Sequence, residues 1–223
     1  MSSVPPPLTP ENPLPWEARQ TRGAVEAFFD TLGLFFSRPM EAWARTRETG
    51  DLASPLLFGL IISWISFVGH RIVTRFVTVP VVLPGEIGRR LLLMDRPYGR
   101  AGFIASAIFA PIFILVALFI GAAILHACCL ITGALSTSAS GFEGSFRAVA
   151  YSQVASIASL IPAVGGLIAV VWWIFLAVMG VQRVHRTTQG RAIAAVLVPV
   201  IVCCGGIILI AALGAAFLLG RGR

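Results

Sequence analysis

The side chains with the most obvious chemistry are histidine and cysteine residues inside two long apolar stretches. His126 and Cys129 are three residues apart and would share one face of a helix, where imidazole and thiolate can bind copper or zinc. Cys203 and Cys204 lie in a later stretch and could complete such a site. However, adjacent cysteines on a helix diverge by about 100°, and cysteine often serves as a small hydrophobic residue. We therefore expect no metal and no other cofactor, with these four residues as the candidates if a metal is bound.

Carboxylates, which acid–base catalysts and ion-coupled transporters use, are missing from the apolar stretches. Residues 101–142, 148–182 and 192–220 contain no Asp, Glu, Lys or Arg. Charged groups within a membrane usually mark a transport or proton pathway, so their absence argues against an enzyme and against an ion-coupled transporter. Glu143 and Arg147 stand between two of these stretches, four residues apart in the order that favours a helical ion pair. We expect this pair to stabilise the start of a membrane span.

A cluster of basic residues lies between the last two apolar stretches, at Arg183, His185, Arg186 and Arg191. Two interpretations remain open: a contact site for lipid headgroups or a partner, or ordinary positive charge at the cytoplasmic ends of spans. The net charge is +7, but no soluble segment combines a basic patch with interleaved aromatic residues, so we expect no nucleic-acid binding. The expected partners are membrane lipids, together with other membrane proteins or further copies of the chain.

The apolar stretches determine the fold class. The chain is 57% hydrophobic and 12% charged, whereas soluble domains carry about 25% charged residues. A helix needs roughly 20 apolar residues to cross the hydrocarbon, and backbone groups in lipid must be paired within the segment. We therefore predict an all-α integral membrane protein with about five transmembrane helices. The membrane domain covers residues 52–220, with spans at about 55–78, 102–135, 146–161, 163–182 and 192–219.

Two segments of different composition precede the membrane domain. Residues 1–15 contain six prolines and are predicted to form a disordered tail. Residues 16–51 are predicted to form amphipathic surface helices, because large apolar residues recur at three- and four-residue spacing. The pattern leaves two positions open for the first of these helices: flat on the membrane surface or packed against the transmembrane bundle. The recurring residues are Val25, Phe28, Phe29, Leu32, Phe35 and Phe36.

The distribution of arginine predicts the orientation only in part. Arg183, Arg186 and Arg191 place the loop before the last span in the cytoplasm, and five spans then make the N-terminus cytoplasmic too. The same assignment places the arginine-rich connector 79–100 outside, against the usual bias. Either this connector folds back into the headgroups, or the number of spans differs by one.

Several short motifs occur in a characteristic order between residues 16 and 200. They are Pro15-Trp16-Glu17, Arg38-Pro39, His126, 141–147 (GFEGSFR), Tyr151, 161–166 (IPAVGG), Trp172, Gly180, 185–192 (HRTTQGRA) and Pro199. In this order and spacing the chain resembles the Yip family of Ypt-interacting, five-span membrane proteins, and most closely the bacterial branch of that family. The resemblance implies that eight of these residues are family-motif positions: Tyr151, Pro162, Gly165, Gly166, Gly180, His185, Gly190 and Pro199.

The resemblance implies a fold more directly than a function. Eukaryotic members are similar to trafficking factors that associate with prenylated Rab-type GTPases and influence membrane shape, whereas the role of bacterial members is generally unassigned. We expect a non-enzymatic protein of the bacterial cytoplasmic membrane, with a cytoplasmic N-terminus, that organises the bilayer or scaffolds membrane-protein partners. The alternative is a component of a transporter or channel that moves a small or lipidic substrate through the break at residues 162–166.

Overall fold

The computed structural model describes residues 10–76 and 100–220, and all regular elements in these two ranges are helical. Residues 1–9 of the predicted tail and residues 79–99 of the predicted connector lie outside the described residues. The α-helices are α1 Arg19–Arg22, α2 Ala24–Ser37, α3 Pro39–Arg45, α4 Ala53–Phe76, α5 Arg100–Ile131, α6 Gly141–Ser152, α7 Gly165–Val184 and α8 Gln189–Gly220, and two 3₁₀ helices cover Pro15–Ala18 and Gln153–Leu160.

Three of these helices are long and apolar enough to cross a membrane. Their apolar segments are Ala53–Thr74 in α4, Gly102–Ile131 in α5 and Gly165–Val184 in α7, with 22, 30 and 20 residues. At about 1.5 Å per residue, even the shortest matches a hydrocarbon core of roughly 30 Å. Helix α8 contributes a shorter apolar segment, Gln189–Val202. These helices agree with the membrane class that the composition predicts, while the arrangement with five spans remains a prediction.

The second predicted span is shorter than expected, because α5 ends at Ile131 and not near residue 135. Gly133 has a left-handed backbone with a φ of 70°, and the amide of Ala134 donates to the carbonyl of Cys129 over 2.8 Å. This bond is typical of a Schellman C-cap, whose left-handed position favours glycine because it has no Cβ. The apolar composition continues past this cap, so composition alone placed the end too late.

The segment predicted as the third span, at 146–161, is not one uniform α-helix. Helix α6 continues directly into the second 3₁₀ helix, where Ser156 Oγ donates to the carbonyl of Gln153 and Ser159 Oγ donates to that of Ser156, each over 2.6 Å. Local hydroxyl–carbonyl bonds of this kind compete with regular α-helical pairing. The two helices together rise roughly 34 Å, comparable with a hydrocarbon core of about 30 Å.

Residues 10–52, here called the N-terminal arm, pack against the membrane helices. The rings of Phe28 in α2 and Phe58 in α4 have centroids 5.3 Å apart, and those of Phe35 in α2 and Tyr151 in α6 are 5.8 Å apart. Trp16 Nε1 also donates to the carbonyl of Ser54 over 2.7 Å. The sequence left open whether α2 lies flat on the membrane surface or packs against the transmembrane bundle. Its side-chain contacts show that it packs against the bundle.

The start of the ordered N-terminal arm lies within the segment predicted as a disordered tail. Leu14 is buried, and its amide donates to the carbonyl of Arg45 over 2.9 Å. Pro15 is also buried and opens the first 3₁₀ helix, where its missing amide hydrogen costs nothing. The predicted boundary at residue 15 is therefore wrong, because proline content near a helix start resembles that of an extended tail.

The break between the second 3₁₀ helix and α7 packs tightly on one side only. A Cβ atom on Gly165 would lie 2.1 Å from the carbonyl oxygen of Ala158, whereas one on Gly166 would have no heavy atom within 4 Å. Between them and Pro162, Ala163 adopts a left-handed φ of 66°. Gly165 is thus required by close backbone approach, and Gly166 is not.

We predict that Gly165→Ala lowers the free energy of unfolding by about 1–3 kcal/mol, because the added methyl group must displace backbone atoms. Gly166→Ala, one residue away in open space, is the matched control and should change stability by less than about 0.5 kcal/mol. Thermal unfolding of the detergent-solubilised proteins, followed by circular dichroism, measures both. Equal midpoints for the two variants would contradict this packing.

Candidate functional site

A buried guanidinium group lies where the N-terminal arm meets α6. Arg147 Nη1 donates to Glu17 Oε1 over 2.8 Å, and Nη2 donates over 2.7 Å to both Glu143 Oε1 and the carbonyl of Asp51. The side chains of Arg147 and Glu17 have no exposed surface. We call Glu17, Asp51, Glu143, Arg147 and Tyr151 the ionic cluster.

Glu17 is the acceptor at the centre of the ionic cluster. Besides Arg147, the hydroxyl of Tyr151 donates to Oε1 over 3.0 Å, and the backbone amide of Arg47 donates to Oε2 over 3.1 Å. Burial raises the pKa of the Glu17 carboxyl above its ordinary value, and the guanidinium of Arg147 opposes this shift. A buried ion pair is costly to break from either side, so the ionic cluster fixes the N-terminal arm to α6.

The sequence predicted one edge of the ionic cluster and missed its centre. The ion pair between Glu143 and Arg147 is confirmed at 2.7 Å, four residues apart on α6. Glu17 is 130 residues from Arg147 in the chain, and helical spacing gives no information at that distance. The available signal was Glu17 itself, an acidic residue in the resemblance motif Pro15-Trp16-Glu17.

His185, directly after α7, is enclosed by serine hydroxyls. Its Nδ1 lies 2.7 Å from Ser138 Oγ, and its Nε2 lies 2.9 Å from Ser145 Oγ. Ser145 Oγ is also 3.0 Å from Nδ1 of His126 in α5. We call these four residues the hydroxyl cage. His185 has no exposed surface, so its predicted contact with lipid or a partner is not possible in this conformation.

The surroundings of His185 keep its imidazole uncharged. Burial lowers the pKa of His185 to about 4, the nearby His126 acts in the same direction, and Glu48 opposes the shift. At neutral pH a neutral ring presents one donor and one acceptor nitrogen, and each is matched by a hydroxyl that can take either role. The hydroxyl cage therefore links the end of α7 to α5, to α6 and to the loop before α6 through neutral hydrogen bonds.

The three arginines of the predicted contact cluster bind other parts of the chain. Arg183 Nη1 donates to Glu48 Oε1 over 2.7 Å, and Arg186 Nη2 donates to Glu48 Oε2 over 2.6 Å. Arg191 Nη1 donates to Ser136 Oγ over 2.9 Å. Glu48 belongs to the N-terminal arm and is buried, so Arg183 and Arg186 hold the arm at the end of α7. Lipid contact by these arginines remains a hypothesis.

The predicted metal candidates are not brought together by the described part of the chain. His126 bonds to Ser145, while Cys129 is a buried free thiol in the same helix. The side chains of Cys203 and Cys204 lie outside the described side chains. Across residues 10–76 and 100–220, no group of three His, Cys, Asp or Glu residues is placed to bind a metal ion.

The family-motif residues occupy positions of close contact at several points in this architecture. Tyr151 lies in the ionic cluster, and a Cβ on Gly180 would lie 2.7 Å from ring carbons of Trp43, so this glycine lets the arm approach α7. Pro162 lies in the turn before α7, and Pro199 lies inside α8. Gly190, near the start of α8, would accept a Cβ without contact, so the described structure gives no packing reason for it.

We predict that Arg147→Met destabilises the protein by about 3–5 kcal/mol, because it leaves Glu17 as a buried charge without its cation. Adding Glu17→Gln should restore part of the loss, so the two changes are not additive. Arg38→Gln, which removes the exposed ion pair with Glu41, is the control and should cost less than about 1 kcal/mol. Midpoints of thermal unfolding in detergent are measured for five proteins: the unchanged protein, Arg147→Met, Glu17→Gln, the double variant and Arg38→Gln. Additive effects of the two single changes would contradict the pairing.

We predict that acid destabilises the protein through His185. The folded pKa is about 4 and the unfolded pKa is about 6.5, so the unfolded state binds more protons between these values. The contribution of His185 is therefore complete above pH 6.5 and falls by roughly 3 kcal/mol as the pH drops to 4. His185→Gln should remove this part of the pH dependence. The same slope of midpoint against pH in both proteins would contradict the assignment.

A family model described as Yip1 domain matches residues 32–211 of the chain. No curated protein matches the chain, and no solved structure does so either. The matched range begins within α2 and ends within α8, and it includes Arg147, Tyr151, the hydroxyl cage and all of α4, α5 and α7. It also contains the eight family-motif positions named from the resemblance, from Tyr151 to Pro199. The chain therefore belongs to the Yip family.

Proposed function

We propose that this protein is a non-enzymatic member of the bacterial branch of the Yip family that organises the bilayer around it. The observation that carries the proposal is an exposed apolar face on a helix that ring contacts and ion pairs of the arm hold beside the membrane helices. Phe28 and Phe35 of α2 point into the bundle, while Val25 and Phe29 of the same helix are 72% and 62% exposed. A helix with one face packed on a membrane protein and the other apolar face exposed fits the boundary between headgroups and acyl chains.

The ionic contacts give this exposed face its rigidity. Glu17 binds Arg147, and Glu48 binds both Arg183 and Arg186, so the N-terminal arm is tied to α6 and to the end of α7. An apolar surface inserted at headgroup level by a rigid arm displaces lipid in one leaflet, and the membrane domain resists its withdrawal. Such asymmetric insertion favours curvature or thinning, which is how the arm would organise the bilayer.

The same contacts support the proposed orientation. Because Glu48 pairs with Arg183 and Arg186, the N-terminal arm and the α7–α8 loop lie on the same side of the membrane. The loop carries Arg183, Arg186 and Arg191, and arginine is enriched on the cytoplasmic side. We therefore propose that the arm faces the cytoplasm of a bacterial cell. The partners in this proposal are lipids first, with other membrane proteins or further copies of the chain gathered by the altered bilayer.

The proposal predicts a change of vesicle shape that depends on the exposed face of α2. The full chain is reconstituted into liposomes at increasing protein-to-lipid ratios, and vesicle diameters are measured by electron cryomicroscopy. We expect the vesicle diameter to fall as protein is added. The double variant Val25→Ser with Phe29→Ser should lose most of this effect, because each change removes about 2 kcal/mol of the free energy gained by burying an apolar side chain in the bilayer.

The control for this experiment is Glu26→Gln, an exposed change on the same helix that leaves the apolar face intact. It should shape vesicles as the unchanged protein does. Loss of activity in this control, or full activity in the double serine variant, would refute insertion by α2. Equal thermal midpoints of the three proteins show that the arm remains docked.

The alternative of a transporter or channel component rests on the break before α7. Between the second 3₁₀ helix, α7 and α8, a cavity of about 220 Å³ is lined by apolar residues together with Gln153 and Ser156, which would supply polar groups to a substrate. The same liposomes test it, because flux of a trapped dye or transfer of a labelled lipid between leaflets would favour transport over bilayer organisation.

A further inference from the structure

A groove runs between α3 and the end of α7, on the side of the N-terminal arm. It has a volume of about 630 Å³, and its lining combines apolar and polar residues. The apolar wall consists of Met40, Trp43, Phe175 and Met179, and the polar wall consists of Gln182, Arg183, Arg186, Thr187 and Gln189. We call this cavity the arm groove.

Two hydrogen-bond donors of the arm groove have no partner. The indole Nε1 of Trp43 and the hydroxyl Oγ1 of Thr187 are buried and unbonded within the described structure, and the two residues are 1% and 8% exposed. A buried donor without an acceptor costs about 1–3 kcal/mol. Both atoms belong to residues that line the same groove, but neither atom has accessible surface in this conformation, so a ligand with acceptor oxygens reaches them only when the side chains that cover them move aside.

The remaining lining indicates which acceptor the groove takes. Gln182 and Gln189 offer amide donors, Arg183 and Arg186 offer guanidinium groups, and no lining residue carries a carboxylate. Glu48 is buried and binds both arginines, yet the Arg183 side chain is still 26% exposed. Donors and cations around a cavity match the oxygens of a phosphodiester.

The apolar wall indicates that the phosphodiester belongs to a lipid. Phe175 is 47% exposed and lies within the membrane segment Gly165–Val184, so the arm groove opens onto the lipid-facing surface of α7. Met40, at 77%, exposes its side chain at the other edge. A ligand that contacts this wall and the donors at once must be amphiphilic.

We propose that the arm groove is a binding site for one anionic phospholipid of the bilayer, with its phosphate at Trp43, Thr187 and the arginine rim and its acyl chain along Phe175 and Met179. The proposed function requires only that α2 insert into lipid, so the groove is an additional site with its own ligand. A lipid in the arm groove would contact both the N-terminal arm and α7. The ionic cluster, in contrast, connects the arm to α6 through buried side chains.

The test measures lipid retained by the full chain. The protein is delipidated in detergent, reconstituted with equal amounts of phosphatidylglycerol and phosphatidylcholine, and extracted again for native mass spectrometry. We expect one phosphatidylglycerol to be retained over phosphatidylcholine, and Trp43→Phe with Thr187→Val to reduce its retention by about tenfold. Inorganic phosphate in excess should not displace it, because a free anion lacks the acyl chain. Displacement by inorganic phosphate would overturn the lipid as the ligand.

Ser63→Ala is the matched control, because it removes another buried hydroxyl that has no partner, outside the groove. It should retain phosphatidylglycerol fully.

A second pair of variants avoids any question of folding, because Met40 is exposed. Met40→Glu should repel the phosphate, and Met40→Lys should retain it. Equal retention of the two lipids, or unchanged retention in both the double variant and Met40→Glu, would overturn the proposal. Vesicle shaping by α2 is measured in a separate experiment. Lipid binding in the arm groove and bilayer organisation by α2 can therefore be refuted independently.

Discussion

The guanidinium group of Arg147 sets the main constraint on this fold. The Arg147 side chain is fully buried, and a buried cation is tolerated only with a partner of opposite charge. Glu143 lies on the same helix, but the fully buried partner is Glu17, which the chain supplies from the N-terminal arm. The position of the arm, and with it the exposed face of α2, follows from this pairing.

The N-terminal arm is attached to α7 as well as to α6. Glu48 reaches the end of α7 through Arg183 and Arg186, and Trp43 packs directly over Gly180. Ionic, aromatic and close-packing contacts therefore act at separate points along the arm. Three anchors at three points restrict tilt as well as displacement, which a single ion pair cannot do.

The sequence predicted those features that depend on local composition or on spacing within one helix. The all-α membrane class, the three long apolar helices and the ion pair between Glu143 and Arg147 are of this kind. The sequence did not predict contacts between residues that are far apart in the chain. It also did not predict local changes of backbone geometry that composition does not determine. The C-cap at Gly133 lies inside a continuing apolar stretch. After Ser152, serine hydroxyls bond to carbonyls three residues earlier and compete with α-helical pairing, and composition does not determine which pairing forms.

The candidate site was predictable only as a set of residue types. Arg183, His185 and Arg186 stand close together in sequence and suggest one surface, but the structure gives them different roles. His185 is enclosed by Ser138 from the loop before α6 and Ser145 from α6 itself. The two arginines contact Glu48, which is 135 and 138 residues from them in the chain. No periodicity within a helix relates groups that far apart, so their partners became visible only in three dimensions.

The 130 residues between Glu17 and Arg147 also order the biosynthesis of the protein. When the first membrane helices leave the ribosome, Arg147 does not yet exist, so Trp16 and Glu17 must wait in water or on the bilayer surface. Docking becomes possible only once α6 has been made and inserted. A chain halted before that stage exposes the acidic and aromatic residues of the arm that the finished protein buries against α4 and α6.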